Sequence, residues 1–302
     1  MTDPASAPAA PASPGFSWPA GSRAAACFTF DVDAESAILA ADPMAAGRRS
    51  VMSHQAYGPR NGVPRLLGIL DRVGIRATFF VPGYTAERWP AVVRSIRDAG
   101  HEIGHHGYLH ESVAALSPEA EEAVLIRGLT ALDAVTGQRP SGWRAPMWES
   151  SWSSAGLLVK HGFGYDSSLM DSDLPYLLTA GAAGRLVELP IHWSLDDWEP
   201  YVYLPDLSGS GAIASPADVV ARWTLELDAL VAAGGLFNLT NHPFVSGRPS
   251  RAAGLESLIQ HARSIDGLWI ATCDEIARWV AQLPLEPVDD RRPELPAADG
   301  PG

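Results

Sequence analysis

The chain of 302 residues contains only two cysteines, Cys27 and Cys273, and no CxxC pair. That excludes a disulfide framework and a thiolate zinc knuckle. Both cysteines sit in apolar runs of strand character and read as small buried hydrophobes. Positive charge is also scarce: 22 Lys plus Arg stand against 35 Asp plus Glu, for a net charge of −13, and there is no basic run. Polyanion binding needs clustered cations, so no nucleic-acid partner is expected. Nor does any apolar run approach the roughly 20 residues of a membrane helix, so no membrane partner is expected. The opening stretch MTDPASAPAAPASPGFSWPAG has no cationic start and no apolar core of signal-peptide length, which points to a cytoplasmic protein.

What the chain does have is core. Hydrophobic residues make up 46% of it, enough for one large domain, since α/β barrels run to this size undivided. Short β-rich runs alternate with helix-length segments: AAACFTFDVD, IRATFFVPG, GWRAP, LVELPIHW, GLFNLTNHP and GLWIATCDE each end in polar or charged residues. Between them, Ser117-Pro118 and Ser215-Pro216 mark helix starts, with a capping serine and proline at the first helical position. The pattern predicts an α/β fold with a parallel sheet wrapped by helices, whose strand ends converge on one functional face. We expect a flexible Ala/Pro arm over 1–22, a single catalytic domain over 23–283, and a Pro-rich acidic tail over 284–302 without fixed structure.

Four of those strand ends carry candidate chemistry. FTFDVDAE places Asp31 and Asp33 at i and i+2, on one strand face, although a solvated terminus or Asx turn would look the same. HEIGHHGYLHE holds four of the nine histidines. Its first half fits the zinc-protease pattern HExxH, which is meaningful only on a helix. Here it reads as a strand entering a bend at Gly104. His106 and His110 lie past the strand end, and with Asp33 they would form a two-His, one-carboxylate set with room for water. Surface histidines on a loop remain the alternative. Arg144 in SGWRAPMWESS reads as a surface ion pair or, if two carboxylates lie near it, as the group that holds one of them ionised. His242, which ends the strand in NLTNHPF, reads by itself as a satisfied core or surface histidine.

Taken together, these blocks resemble the polysaccharide deacetylases (carbohydrate esterase family four, the chitin and peptidoglycan deacetylases). The family's TFDDG block is similar to TFDVDAE, with one residue inserted; its HTxxH block resembles HGYLH, its RxPY block RAPM and its LxxH block LTNH, over roughly residues 24 to 280. The resemblance implies a distorted (β/α) barrel of about seven parallel strands. It implies that Asp33, His106 and His110 hold one divalent metal, zinc first, with cobalt, nickel or manganese as alternatives. Asp31 would be the general base, Arg144 its orienting partner, His242 the general acid, and the backbone N–H of Met147 an oxyanion donor. His105, beside His106, would point elsewhere and carry no role.

Met147 stands where the family usually has an aromatic residue, but only its backbone is needed. The D-x-D form, GHHGYLHE, YGPRNGVPRLL and HPFVSGRPSR resemble an intracellular branch with allantoinase-like and cyclic imide hydrolase members, which tend to be homo-oligomers, often tetramers. The expected activity is hydrolysis of a non-peptide C–N bond, foremost N-deacetylation of an acetamido sugar or related small amide. Ring opening of a cyclic imide or ureide is the alternative within that class, and a non-catalytic metal-binding barrel the alternative outside it. Tyr57, Arg60, Trp148, Trp152 and Trp193 are the expected pocket walls.

Overall fold

The computed structural model describes residues 14–204, 212–289 and 292–293. Nine strands form one sheet: β1 Ala24–Asp31, β2 Thr78–Val81, β3 Glu102–His105, β4 Gly142–Trp143, β5 Tyr165–Asp166, β6 Tyr176–Thr179, β7 Arg185–Glu188, β8 Leu236–Asn241 and β9 Leu268–Ile270. Their order is β6-β7-β5-β4-β3-β2-β1-β8, with β9 paired to the start of β1. Among the described residues eight strands run parallel and β6 alone runs antiparallel, against β7. This is the expected distorted barrel with one parallel strand more than the seven anticipated. β5 has two residues and β6 four, too short for a periodic signal in the sequence.

The sheet curls into a half-barrel, and a single bridge between Asp196 and Thr240 brings the run after β7 against β8. Pro190 cannot donate to a ladder there; instead the Asn238 amide spans the seam, donating to the carbonyl oxygens of Leu189 and Pro190.

Strand alternation explains how the barrel delivers its polar groups. Along β1, Ala24, Ala26, Phe28 and Phe30 pack outward against the helices, and Ala25 and Cys27 belong to the inner core. The same inner face then continues through Thr29 to Asp31. β8 repeats this, with Phe237 and Leu239 outward and Leu236, Asn238 and Thr240 inward. Each inner row is apolar at the bottom and polar at the top. Both cysteines are buried and free.

Helices Pro118–Thr136 and Pro216–Ala233 start where Ser-Pro predicts, and both end on left-handed glycines, Gly137 and Gly234. Among the described residues no helix is long and apolar enough to cross a membrane. Gly104 does not make a bend, because β3 runs straight through it. A side chain there would come within 2.4 Å of the Phe80 ring, so the missing Cβ serves close packing.

Within the expected arm, Trp18 is buried and donates its indole N–H to Gly234 O, and Ser17 O accepts from the Trp279 indole. Val288 pairs with Leu178 alongside β6. Of the expected arm and tail, residues 1–13, 290–291 and 294–302 lie outside the described residues.

Candidate metal centre

His105 and His106 are neighbours on an extended chain, so they face opposite ways. His105 turns outward: its Nδ1 accepts from Gly107 N and its Nε2 lies 3.1 Å from Leu125 O. Burial holds its pKa down to about 3, leaving a neutral, fully bonded imidazole. His101 is at the opposite end of the barrel, where its Nδ1 accepts from Ala77 N. HEIGH is thus a strand.

His106 turns inward. Its Nδ1 lies 2.8 Å from Arg144 O, which fixes the Nδ1–H tautomer and leaves the Nε2 lone pair free. That Nε2 stands 3.6 Å from Asp33 Oδ1, and His110 Nε2 stands 3.7 Å from Asp33 Oδ2. Burial lowers the His110 pKa to about 4, against the pull of Asp33, so it too is neutral. Both Asp33 oxygens are buried and have no hydrogen-bond partner. An ionised carboxylate shut away without donors costs several kcal/mol. Three ligand atoms within 4.8 Å of one another, too far apart for hydrogen bonds and otherwise unsatisfied, fit a divalent cation between them.

Asp31 sits beside this cluster. Burial would raise its pKa, but the Arg144 guanidinium, followed by His106 and His242, outweighs burial and holds it below the usual carboxylate range. Arg144 is wholly buried over the Phe80 ring. Its Nη1 donates to Asp31 Oδ1 at 2.9 Å, to Thr29 Oγ1 and to Thr240 Oγ1. Its Nε and Nη2 donate to Ser167 O and Ser167 Oγ. A side chain so anchored is a fixed positive charge aimed at one carboxylate.

On the far side, His242 Nδ1 lies 2.7 Å from Asp197 Oδ1 and its Nε2 3.6 Å from Asp33 Oδ2. Asp197 also accepts from the backbone N–H groups of His242 and Ser246. Burial disfavours the imidazolium, yet Asp196, Asp197 and Asp33 together push the His242 pKa well up, so it carries a proton to give. Asp196 and Asp197 form a second acidic group with His242. Neither was singled out from the sequence, although SLDDWEP follows a strand and ends in polar residues as the other motifs do.

These groups open into one cavity of about 280 Å³. Met147, Trp148 and Trp193 form one wall, with the two indoles stacked at 4.4 Å; Ala37, Ile38 and Ala41 form another, and Trp198 and Glu199 close the rim. Of the expected wall residues, Trp148 and Trp193 line the cavity. Trp152 is exposed outside it. Tyr57 bonds Gly247 O beneath Arg248, and Arg60 lies over Trp89, so both are away from the cavity. The described residues have four non-glycine positions with positive φ: Ala34, His110, Met147 and Trp148. One is a site residue, one directly follows Asp33, and two build the wall. Such backbone is unfavourable unless its surroundings enforce it, and it concentrates where side chains must be aimed.

The sequence profile described as polysaccharide deacetylase matches residues 46–165. A peptidoglycan deacetylase of Helicobacter pylori is 35% identical over 251 residues, covering 75% of this chain and 86% of its own. A structure from Mycobacterium smegmatis described as a polysaccharide deacetylase is 53% identical with a TM-score of 0.91, covering 95% of this chain and all of that one. An allantoinase shares the fold at 24% identity and a TM-score of 0.78, over 93% of this chain and 97% of its own.

Proposed function

The chain belongs to the polysaccharide deacetylase family, a family of hydrolases of non-peptide C–N bonds, and from that premise we propose that it removes the N-acetyl group from an acetamido sugar or related small amide. The observation that carries this reading is the Asp33 carboxylate, buried and without a hydrogen-bond donor, facing the free Nε2 atoms of His106 and His110. Two imidazoles and one carboxylate are a donor set suited to zinc. When bound there, a divalent ion polarises the amide carbonyl and makes water a stronger nucleophile.

The chain's own residues supply the remaining chemistry. Asp31, kept ionised by Arg144, takes the proton of the attacking water. His242, charged and held by Asp197, gives its proton to the leaving nitrogen, which departs poorly as an anion. The Met147 backbone, turned at φ 59° at the cavity edge, offers its N–H to the developing oxyanion. Stacked Trp148 and Trp193 give the substrate ring a flat apolar face and keep water out.

One observation favours a second reading. A cavity of about 280 Å³ with largely apolar walls also suits a small flat ring, as in hydrolysis of a cyclic imide or ureide. Acetate release from N-acetylated sugars, measured beside ring opening of succinimide or dihydrouracil, separates the two. Acetate alone supports deacetylation, and ring opening alone replaces it. Neither product from the metal-loaded protein would remove both.

A further inference from the structure

Behind the Arg144 wall lies a pair of acids that the mechanism above does not use. Asp166 on β5 and Glu188 on β7 are direct partners in the parallel ladder, and both carboxyl groups are buried. Neighbouring buried carboxylates repel one another when both are ionised. Their oxygens grip a single turn. Glu188 Oε1 accepts from Ser168 N at 3.0 Å and Leu169 N at 2.9 Å. Asp166 Oδ1 accepts from Ser168 Oγ at 2.5 Å, and Ser168 Oγ in turn accepts from Ala145 N at 2.8 Å. Ser167, between them, receives Arg144 Nε on its carbonyl and Nη2 on its hydroxyl. Glu188 Oε2 is buried and has no hydrogen-bond partner.

We propose that Asp166 and Glu188 are a positioning pair for the reaction: they lock the Ser167-Ser168 turn, and through it both the Arg144 guanidinium and the start of the Ala145–Met147 segment. The pair touches neither the cavity nor the metal ligands, so it acts only through those neighbours. It rests on the deacetylase reading for its readout, but not for its chemistry. Other charged or titratable groups facing it are Arg144 from the end of β4, Asp171 from the loop after β5, and Tyr176, whose position on β6 is registered opposite Glu188. Burial, with only partial offset from the serines and Arg144, pushes the Asp166 carboxyl up to about 7; burial and Asp166 push Glu188 well above its usual range. An acid with a raised folded-state pKa contributes stability that is complete below its unfolded value, near 4, and is lost as pH rises through the folded value.

The experiment compares Glu188→Gln, Asp166→Asn and Glu188→Ala. An amide can stand in for the protonated member, so each single amide variant is expected to keep kcat within about threefold of wild type at pH 7. Glu188→Ala leaves Ser168 N and Leu169 N without an acceptor, and is expected to lower kcat about tenfold or more with KM nearly unchanged. The melting temperature of Glu188→Gln relative to wild type is expected to rise between pH 5 and pH 8.5, because the variant cannot become a dianion. That measurement needs no substrate, so it stands even if the deacetylase reading fails, and it stands if Glu188→Ala does not fold. A Glu188→Ala enzyme with wild-type kcat would overturn the positioning role. So would a Glu188→Gln enzyme as impaired as the alanine variant, or one whose relative melting temperature does not change with pH.

Discussion

Removing the Arg144 charge tests whether Asp31 is a base held ionised by its neighbour. The contact is 2.9 Å long and fully buried. At a charge separation of about 4 Å and an effective dielectric of about 20, such a pair is worth about 4 kcal/mol, or about three pKa units. In Arg144→Met, burial acts on Asp31 without that offset, so its pKa climbs. A base works only when ionised, so the acid limb of the pH profile of kcat/KM should move upward by about two to three units. The loss should reach about 100-fold near pH 5 and shrink as pH rises toward 8, because alkali restores the carboxylate. Breaking a buried ion pair also costs about 3 to 5 kcal/mol, on the order of a 10 °C fall in melting temperature. Arg144→Lys keeps the charge and loses the bonds to Ser167, so it should lose rate evenly across pH. Circular dichroism establishes that each variant is folded before its pH profile is recorded. A folded Arg144→Met enzyme with its acid limb at the wild-type position would refute the assignment of Asp31.

Asp197→Asn withdraws one of the charges that keep His242 protonated, so the alkaline limb of the same profile should move to lower pH and kcat should fall about 100-fold; an unmoved limb would free His242 from the acid role. Gly62→Ala would place its Cβ 2.0 Å from Pro243 O, and is expected to lower the melting temperature by several degrees, on the order of 2 kcal/mol of overpacking, as read by calorimetry. Trp193→Ala removes the exposed member of the stacked indole pair and should raise KM about tenfold for a ring-bearing substrate while sparing kcat; equal KM values would take Trp193 out of the binding wall.

Much of this was legible in the sequence because a buried strand writes its two faces in alternation. Asp31, two residues after Thr29 and four after Cys27, follows from period-two geometry, whereas the roles of His106 and Arg144 come from the family resemblance. The helix starts at Ser117 and Ser215 are legible for a local reason, the proline at the first helical position after each serine; the Ser117 hydroxyl caps Ala120 N, whereas Ser215 makes no capping bond. What could not be read depended on contacts between distant segments. Asp197 serves His242 across 45 residues, and Glu188 meets Asp166 only because β7 pairs with β5. Tyr57 and Arg60 were expected in the pocket for their chemistry. They instead flank and occupy a π-helix, Gly58–Gly62, whose glycines lie against the segment after His242. Two-residue strands such as β4 and β5 bury too few side chains to show a period, so their places in the sheet came only from the structure.

The central claim is that Asp33, His106 and His110 together hold a divalent cation on which amide hydrolysis depends. Metal content by plasma mass spectrometry, taken with acetate release on the same samples, tests it most directly. The account predicts about one ion per folded chain in the wild type, loss of that ion in Asp33→Ala and His110→Ala with the fold retained, and parallel loss of turnover, recovered in the wild type when zinc is returned after chelation. Undiminished turnover in a stringently metal-free sample, or full metal occupancy in both variants, would contradict it.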